Sequence, residues 1–142
     1  GMALTALAGP VSNVVLSFLA CVLLRVASMT WLLYSGSMES WLYYLMMFFM
    51  YFTYINASLA VFNMLPVPPF DGSRIVLAFL PRRIYFGIMK YERYIFIAMF
   101  ILLYIGVFDK PLSAASQWLV DGELSATKFI NGLFGYYGDD IL

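Results

Sequence analysis

The chain has 142 residues, 63% hydrophobic and 11% charged, with a mean hydropathy of +0.86 and eight acids balancing eight bases. Soluble domains carry roughly 25% charged residues, so the composition excludes an ordinary soluble domain and indicates an integral membrane protein whose first partner is the lipid bilayer. Zero net charge leaves no global field to recruit nucleic acid, which is not expected as a partner. Histidine is absent, which removes imidazole metal ligands, Ser/His and Cys/His dyads and H-E-x-x-H from this chain. The single cysteine, Cys21, excludes an internal disulfide and reads as a buried, inert thiol.

Gly1-Met2 resembles a tag-cleavage scar followed by a start codon. The apolar run that follows lacks the basic n-region and cleavage site of a signal peptide, so it reads as part of a permanent membrane segment. Gly9-Pro10 punctuates it, and proline suits the first turn of a helix; a first span is therefore expected at about 11–34. Arg25 lies about 22 Å beyond Pro10 at 1.5 Å per residue, placed to snorkel toward the nearby interface. Ser35 to Glu39 read as a tight polar turn. A second span is expected at 41–63, opened by Trp41, Tyr43 and Tyr44, the amphipathic rings of membrane interfaces. Its methionines and aromatics read as adaptable packing, and Asn56, Ser58 and Asn63 as polar groups facing protein or water.

Asn63-Met64-Leu65-Pro66-Val67-Pro68-Pro69-Phe70-Asp71-Gly72 closes that span. No charged residue occurs from Ser40 to Phe70, and the first one met is Asp71. A charged side chain at the centre of a membrane helix costs about 2.5–3.5 kcal/mol on insertion scales, so such residues are commonly proton carriers, ion-pair partners or metal ligands. Pro66, Pro68 and Pro69 cannot lie inside a regular helix, so residues 64–70 are expected to be extended. Irregular backbone at membrane depth must be buried in protein or reached by water, which predicts a polar cavity here. Asp71 also reads as an N-cap paired with Arg74; the two roles are compatible, because a capping carboxylate keeps a second oxygen free.

A short helix is expected at about 72–80, then a basic stretch. The charge-free run 94–108, extended by residues 91–93, gives a third span at about 91–108, ended by Asp109-Lys110-Pro111. The tail mixes Trp118, Leu119, Phe129 and Ile130 with Asp121, Glu123 and Lys128, the pattern of an interfacial amphipathic helix. Its acids, with Glu39 and Glu92, read as solvated interfacial charges. The fold class is thus all-α and polytopic: about three transmembrane helices, a short helix after the Pro-rich motif and an interfacial C-terminal helix. Residues 1–110 form the membrane domain and 111–142 the tail. Arg74, Arg82, Arg83, Lys90 and Arg93 face one acid, Glu92, between the second and third spans, so the positive-inside rule puts the 74–93 connection, and the motif, on the cytoplasmic side.

N-x-x-P-x-x-x-x-D-G at Asn63, Pro66, Asp71 and Gly72, preceded by Ala8-Gly9-Pro10-Val11-Ser12-Asn13, resembles the site-2 protease family of intramembrane zinc metalloproteases. Arg74-Ile75-Val76 and Tyr91-Glu92-Arg93-Tyr94 resemble its compact bacterial members, which implies a bacterial inner membrane. The resemblance covers most of residues 3–108. It implies hydrolysis of peptide bonds in or near the transmembrane segments of a substrate membrane protein, with zinc as cofactor. It assigns Asp71 as a zinc ligand and Asn63 as a holder of the substrate backbone or oxyanion. Pro66 and Gly72 would shape the substrate segment, with Gly9, Pro10 and Asn13 in support. Asn13 also reads simply as a hydrogen-bonding residue between helices.

In that family H-E-x-x-H on an earlier membrane helix supplies two more ligands and the general base. This sequence has no such helix, so the expectation is a C-terminal portion, inactive alone, that needs an upstream H-E-x-x-H segment of the same protein. A non-catalytic binding or regulatory module of the same fold is the rival. An ion- or proton-pathway subunit using Asp71 is a third reading; it predicts further intramembrane acids or bases on facing helices, for which Arg25 is the only candidate, and it ranks last.

Overall fold

The computed structural model describes residues 2–33 and 40–135. Gly1, the expected turn at 35–39 and the last residues of the tail, 136–142, lie outside them, as do the side chains of Arg82 and Arg83. Six helices follow in order: α1 (Met2–Leu33), α2 (Ser40–Asn63), α3 (Asp71–Ala78), α4 (Arg82–Tyr104), α5 (Asp109–Ala126) and α6 (Phe129–Leu133). The protein is all-α, as the composition and periodicity indicate. Two helices are long and apolar enough to cross a membrane, Leu4–Leu33 and Trp41–Asn63. The pair Phe86–Tyr104 and Asp109–Leu133 supplies a third if it is counted as one broken span.

α1 starts nine residues before the expected position, and Pro10 lies inside it. Proline removes its own N–H bond and crowds the carbonyl four residues back, yet the helix runs on through it; Ser12 Oγ donates to the Gly9 carbonyl at 2.7 Å across the same turn. α1 and α2 form an antiparallel hairpin. Ser17 Oγ lies 2.9 Å from the Thr53 carbonyl oxygen of α2, and small buried residues, Ala20, Ala57 and Ala60 among them, let the two backbones approach. Small interfacial residues with interhelical hydrogen bonds are how helices associate where lipid removes the hydrophobic drive. The outward faces carry exposed Leu, Val, Phe and Tyr, as lipid-facing helices should.

α4 ends in a Schellman motif. Gly106 has φ +80°, its N–H donates to the Leu103 carbonyl at 3.0 Å, and the Val107 N–H donates to that of Leu102 at 3.2 Å. That is the 6→1 and 5→2 pattern built around a left-handed glycine. The chain turns 82° and α5 begins, with Asp109 and Pro111 in its first turn, where a missing N–H costs nothing. Asp109-Lys110-Pro111 therefore opens a helix instead of closing one.

α5 packs on α1 and α2. Three side-chain rungs join α1 to α5 and its continuation: Ser17 to Glu123, Cys21 to Thr127 and Arg25 to Asn131, each pair separated by 106 residues. A constant offset through two four-residue steps requires two helices running parallel and in register. The packing thus uses α5 as the third helix of the bundle, while α4, which contains most of the expected third span, turns away from it.

Candidate functional site

The Pro-rich segment folds back on the end of α2. Asn63 is the last residue of α2, the Met64 N–H reaches the carbonyls of Ala60 and Val61 at 3.2 and 3.1 Å, and the Leu65 N–H that of Phe62 at 3.2 Å. A turn between Val67 and Phe70 follows (3.1 Å), so residues 64–70 are irregular and turned, not extended. The amides of Met64, Leu65 and Phe70 find local carbonyls, which closes the loop. The Phe62 and Phe70 rings meet edge-to-face at 4.4 Å between centroids, clipping the loop to the helix it leaves.

α3 then starts against that loop. A Cβ on Gly72 would collide with the backbone carbonyls of Met64 and Leu65, so only glycine admits this approach of the two segments. Phe70, with ψ 155°, occupies the N-cap position, and no side chain caps the helix. Asp71 is therefore the first helical residue, not the cap, and among the described residues it forms no ion pair with the exposed Arg74. Ser73 makes the local bond instead, donating from Oγ to the Phe70 carbonyl at 2.7 Å. Asp71 keeps both carboxylate oxygens for another use and sits in the first turn, where the helix dipole favours an anion.

The carboxylate lies against the first helix. A Cβ on Gly9 would sit 2.8 Å from Asp71 Oδ2, so the structure brings Gly9 and Asp71, 62 positions apart in the sequence, into contact. Pro10 is buried beside Gly9, and Asn13 is half-buried one turn on, with no hydrogen-bond partner among the described residues. Asn63 is half-buried at the foot of α2. Pro66 is exposed and Pro68 is the buried proline, so it is Pro68 that packs into the fold. A cavity of about 220 Å³ does lie beside the loop, lined by Pro68, Pro69, Ser73, Arg74 and Glu92 among others. Asp71 is not on its wall.

A zinc ion at a catalytic centre takes about three protein ligands and keeps one position open. Among the described residues no three of His, Cys, Asp and Glu come together, and the sequence holds no histidine. The residues present do not by themselves make a zinc site; Asp71 fits as a single oxygen-donor arm.

A second polar cluster was not anticipated. Arg25 does not snorkel: it is 2% exposed, its Nη2 donating to the Leu124 carbonyl at 2.8 Å and its Nη1 to Asn131 Oδ1 at 3.3 Å. Glu123, expected to be solvated, is 6% exposed and has Oε2 2.7 Å from Ser17 Oγ. Cys21 is fully buried, as its apolar context indicates. The signal was present in the spacing: Ser17, Cys21 and Arg25 on one helix and Glu123, Thr127 and Asn131 on another each recur every four residues, a polar stripe along one face. Read singly, the same residues pass for snorkelling and interfacial charges.

Comparison with known proteins agrees with the motif. The model of peptidase family M50 matches residues 26–106, more than half of the chain, and the chain belongs to that family. It is 32% identical over 136 residues, 92% of its length, to a Bacillus subtilis (strain 168) protein named "Putative zinc metalloprotease YwhC", and covers 57% of that protein. It is 39% identical over 71 residues, half of its length, to "Putative zinc metalloprotease MJ0611" of Methanocaldococcus jannaschii, covering 31% of it. The chain thus spans about half or less of the curated relatives it matches. No solved structure matches it.

Proposed function

We propose that this chain is the part of an intramembrane zinc metalloprotease that contributes one metal ligand, Asp71, and the frame around it. The observation that carries this reading is the contact between Asp71 and Gly9. It joins the two motif segments at one end of the α1–α2 hairpin and holds an uncapped, unpaired carboxylate in place. Two imidazoles and a general base from an H-E-x-x-H segment outside this sequence would complete the site. Bound zinc would lower the pKa of its water and polarise the scissile carbonyl. The roles of this chain's own residues are positional. Gly72 lets α3 start against the Pro-rich loop, which sets the direction of Asp71. Asn63, at the foot of α2, is placed to hold a substrate backbone, and Pro66 is exposed on the loop that a substrate segment would meet.

The substrate class is a transmembrane segment of another membrane protein. The excess of Lys and Arg between Arg74 and Arg93 supports a cytoplasmic position for the motif, and membership of the family with a Bacillus subtilis relative supports a bacterial inner-membrane location. As an isolated chain the protein should be inactive. The test is to express the chain joined to, or together with, an H-E-x-x-H-bearing segment from its own coding frame, and to measure zinc content and cleavage. Asp71→Asn should abolish zinc-dependent cleavage with insertion intact, and Asn63→Ala should slow cleavage with zinc still bound. Normal zinc content and activity in Asp71→Asn would overturn the ligand role. A closed upstream frame with no second chain supplying the histidines would leave the non-catalytic module, a reading consistent with the missing ligand cluster among the described residues.

A further inference from the structure

The polar contact between α1, α2 and α5 lies away from the Asp71 motif, and its hydrogen bonds do not balance as drawn by charge alone. Ser17 Oγ is 2.9 Å from the Thr53 carbonyl oxygen and 2.7 Å from Glu123 Oε2. Both are acceptors when Glu123 is ionised, and a serine hydroxyl has one proton. One of the two contacts would then be an oxygen facing an oxygen with no hydrogen between them. Ser17 is fully buried and Glu123 is 6% exposed, so water is not at hand to relieve it.

Arg25 does not resolve the imbalance. Its two terminal nitrogens donate to the Leu124 carbonyl and to Asn131 Oδ1, and its Nε is unpartnered, as is Glu123 Oε1. An ion pair between the two would join these very atoms. A bound metal cation is also disfavoured by distance, since a 2.7 Å oxygen–oxygen separation is that of a direct O–H···O bond.

We propose that Glu123, Ser17 and Thr53 form a proton-binding site: Glu123 is a neutral carboxylic acid that donates from Oε2 to Ser17 Oγ, and Ser17 in turn donates to the Thr53 carbonyl. Each of the two short contacts then has its own proton, while the buried Thr53 Oγ1 keeps no partner of its own; Glu123 Oε1 is the uncharged carbonyl oxygen, much cheaper to leave unpaired in a dry interior than a carboxylate oxygen. The site sits where three helices meet, so proton uptake is coupled to the docking of α5 on the α1–α2 hairpin. The ionisable groups around it are few. From α1 they are Arg25 and Cys21, which lies between Arg25 and Glu123 and within electrostatic reach of both. From the α5–α6 side they are Asp121 and Lys128, both exposed. At the Thr53 contact α2 brings the outward-facing, exposed Tyr51 and Tyr54. The inference is independent of the zinc reading.

The sign of the pH effect follows. Docked, Glu123 holds its proton; undocked and wet, it ionises in the ordinary carboxyl range. Docking is therefore strongest at pH below that range and weakens as pH rises above it. The docking equilibrium falls about tenfold per pH unit for as long as the docked state keeps the proton and the undocked state has lost it. The experiment is infrared spectroscopy of the whole chain in lipid nanodiscs at neutral pH, with thermal stability measured across pH. The expected result is a protonated-carboxyl absorption that Glu123→Gln removes and Ser17→Ala shifts. Stability should fall with rising pH in the wild type, and this dependence should flatten in Glu123→Gln, whose amide can still donate to Ser17. Absence of that absorption in the wild-type chain, which needs no variant to fold, overturns the proposal. So does an unchanged pH slope in a folded Glu123→Gln protein.

Discussion

Gly9 of α1 and Asp71 of α3 face each other so closely that a methyl group on Gly9 would lie 2.8 Å from Asp71 Oδ2. The glycine is there because the carboxylate needs its space, and the two motif segments meet through an absent side chain. The carboxylate is the movable end of that contact. Adding a Cβ should therefore rotate Asp71 more than it unfolds the helix pair.

Gly9→Ala is expected to lower the zinc affinity of a histidine-complemented protein about 10–100-fold, the usual penalty for disturbing the support of a ligand, with thermal stability nearly unchanged. Zinc titration and a melting curve measured side by side check this. Unaltered zinc affinity would remove Asp71 from the metal.

Gly72→Ala should behave in the opposite way. Its Cβ meets backbone carbonyls of Met64 and Leu65, which cannot swing aside, so the cost is the overpacking penalty of about 1–3 kcal/mol or more. Chemical unfolding in detergent should show this loss in the chain alone, with no zinc present.

Arg25→Ala leaves Asn131 Oδ1 without its donor in a buried seam and the Leu124 carbonyl with only the Thr127 hydroxyl, 3.0 Å away. The expected loss is about 1–3 kcal/mol, the desolvation penalty of stranded polar groups. Asn131→Ala removes part of the same contact, so the double variant should cost clearly less than the sum of the two. Strict additivity in this cycle would show that the rung does not couple α1 to α6.

Gly106→Ala places an L side chain at φ +80° with its Cβ 2.7 Å from Asp109 Oδ2. A left-handed conformation costs such a residue roughly 1–2 kcal/mol, and the Schellman motif that turns α4 into α5 should loosen. Spin-label distances between α4 and α5 should broaden, while those within the α1–α2 hairpin stay fixed.

Much of the architecture was legible in one dimension. Long apolar runs, broken in α1 only by Arg25, defined α1 and α2, because lipid strongly disfavours polar composition over that length. The prolines defined the break after Asn63 because they cannot donate within a helix. Family membership was readable because the spacing of Asn63, Pro66, Asp71 and Gly72 is short-range and survives without a fold. α1 starts before the expected position because a single proline strains a helix without having to end it, as at Pro10.

Composition and motif spacing alone are enough to establish an all-α membrane protein, a Pro-rich break after its second long apolar helix, and Asp71 as its distinctive acid. Packing in three dimensions sets which residues that acid meets and brings α5 into the bundle parallel to α1. It also decided that Arg25 and Glu123 are buried instead of wet. Composition and period are properties of neighbours along the chain. A charge's environment is set by whichever helix packs against it, and for Ser17 and Glu123 that partner lies 106 residues away.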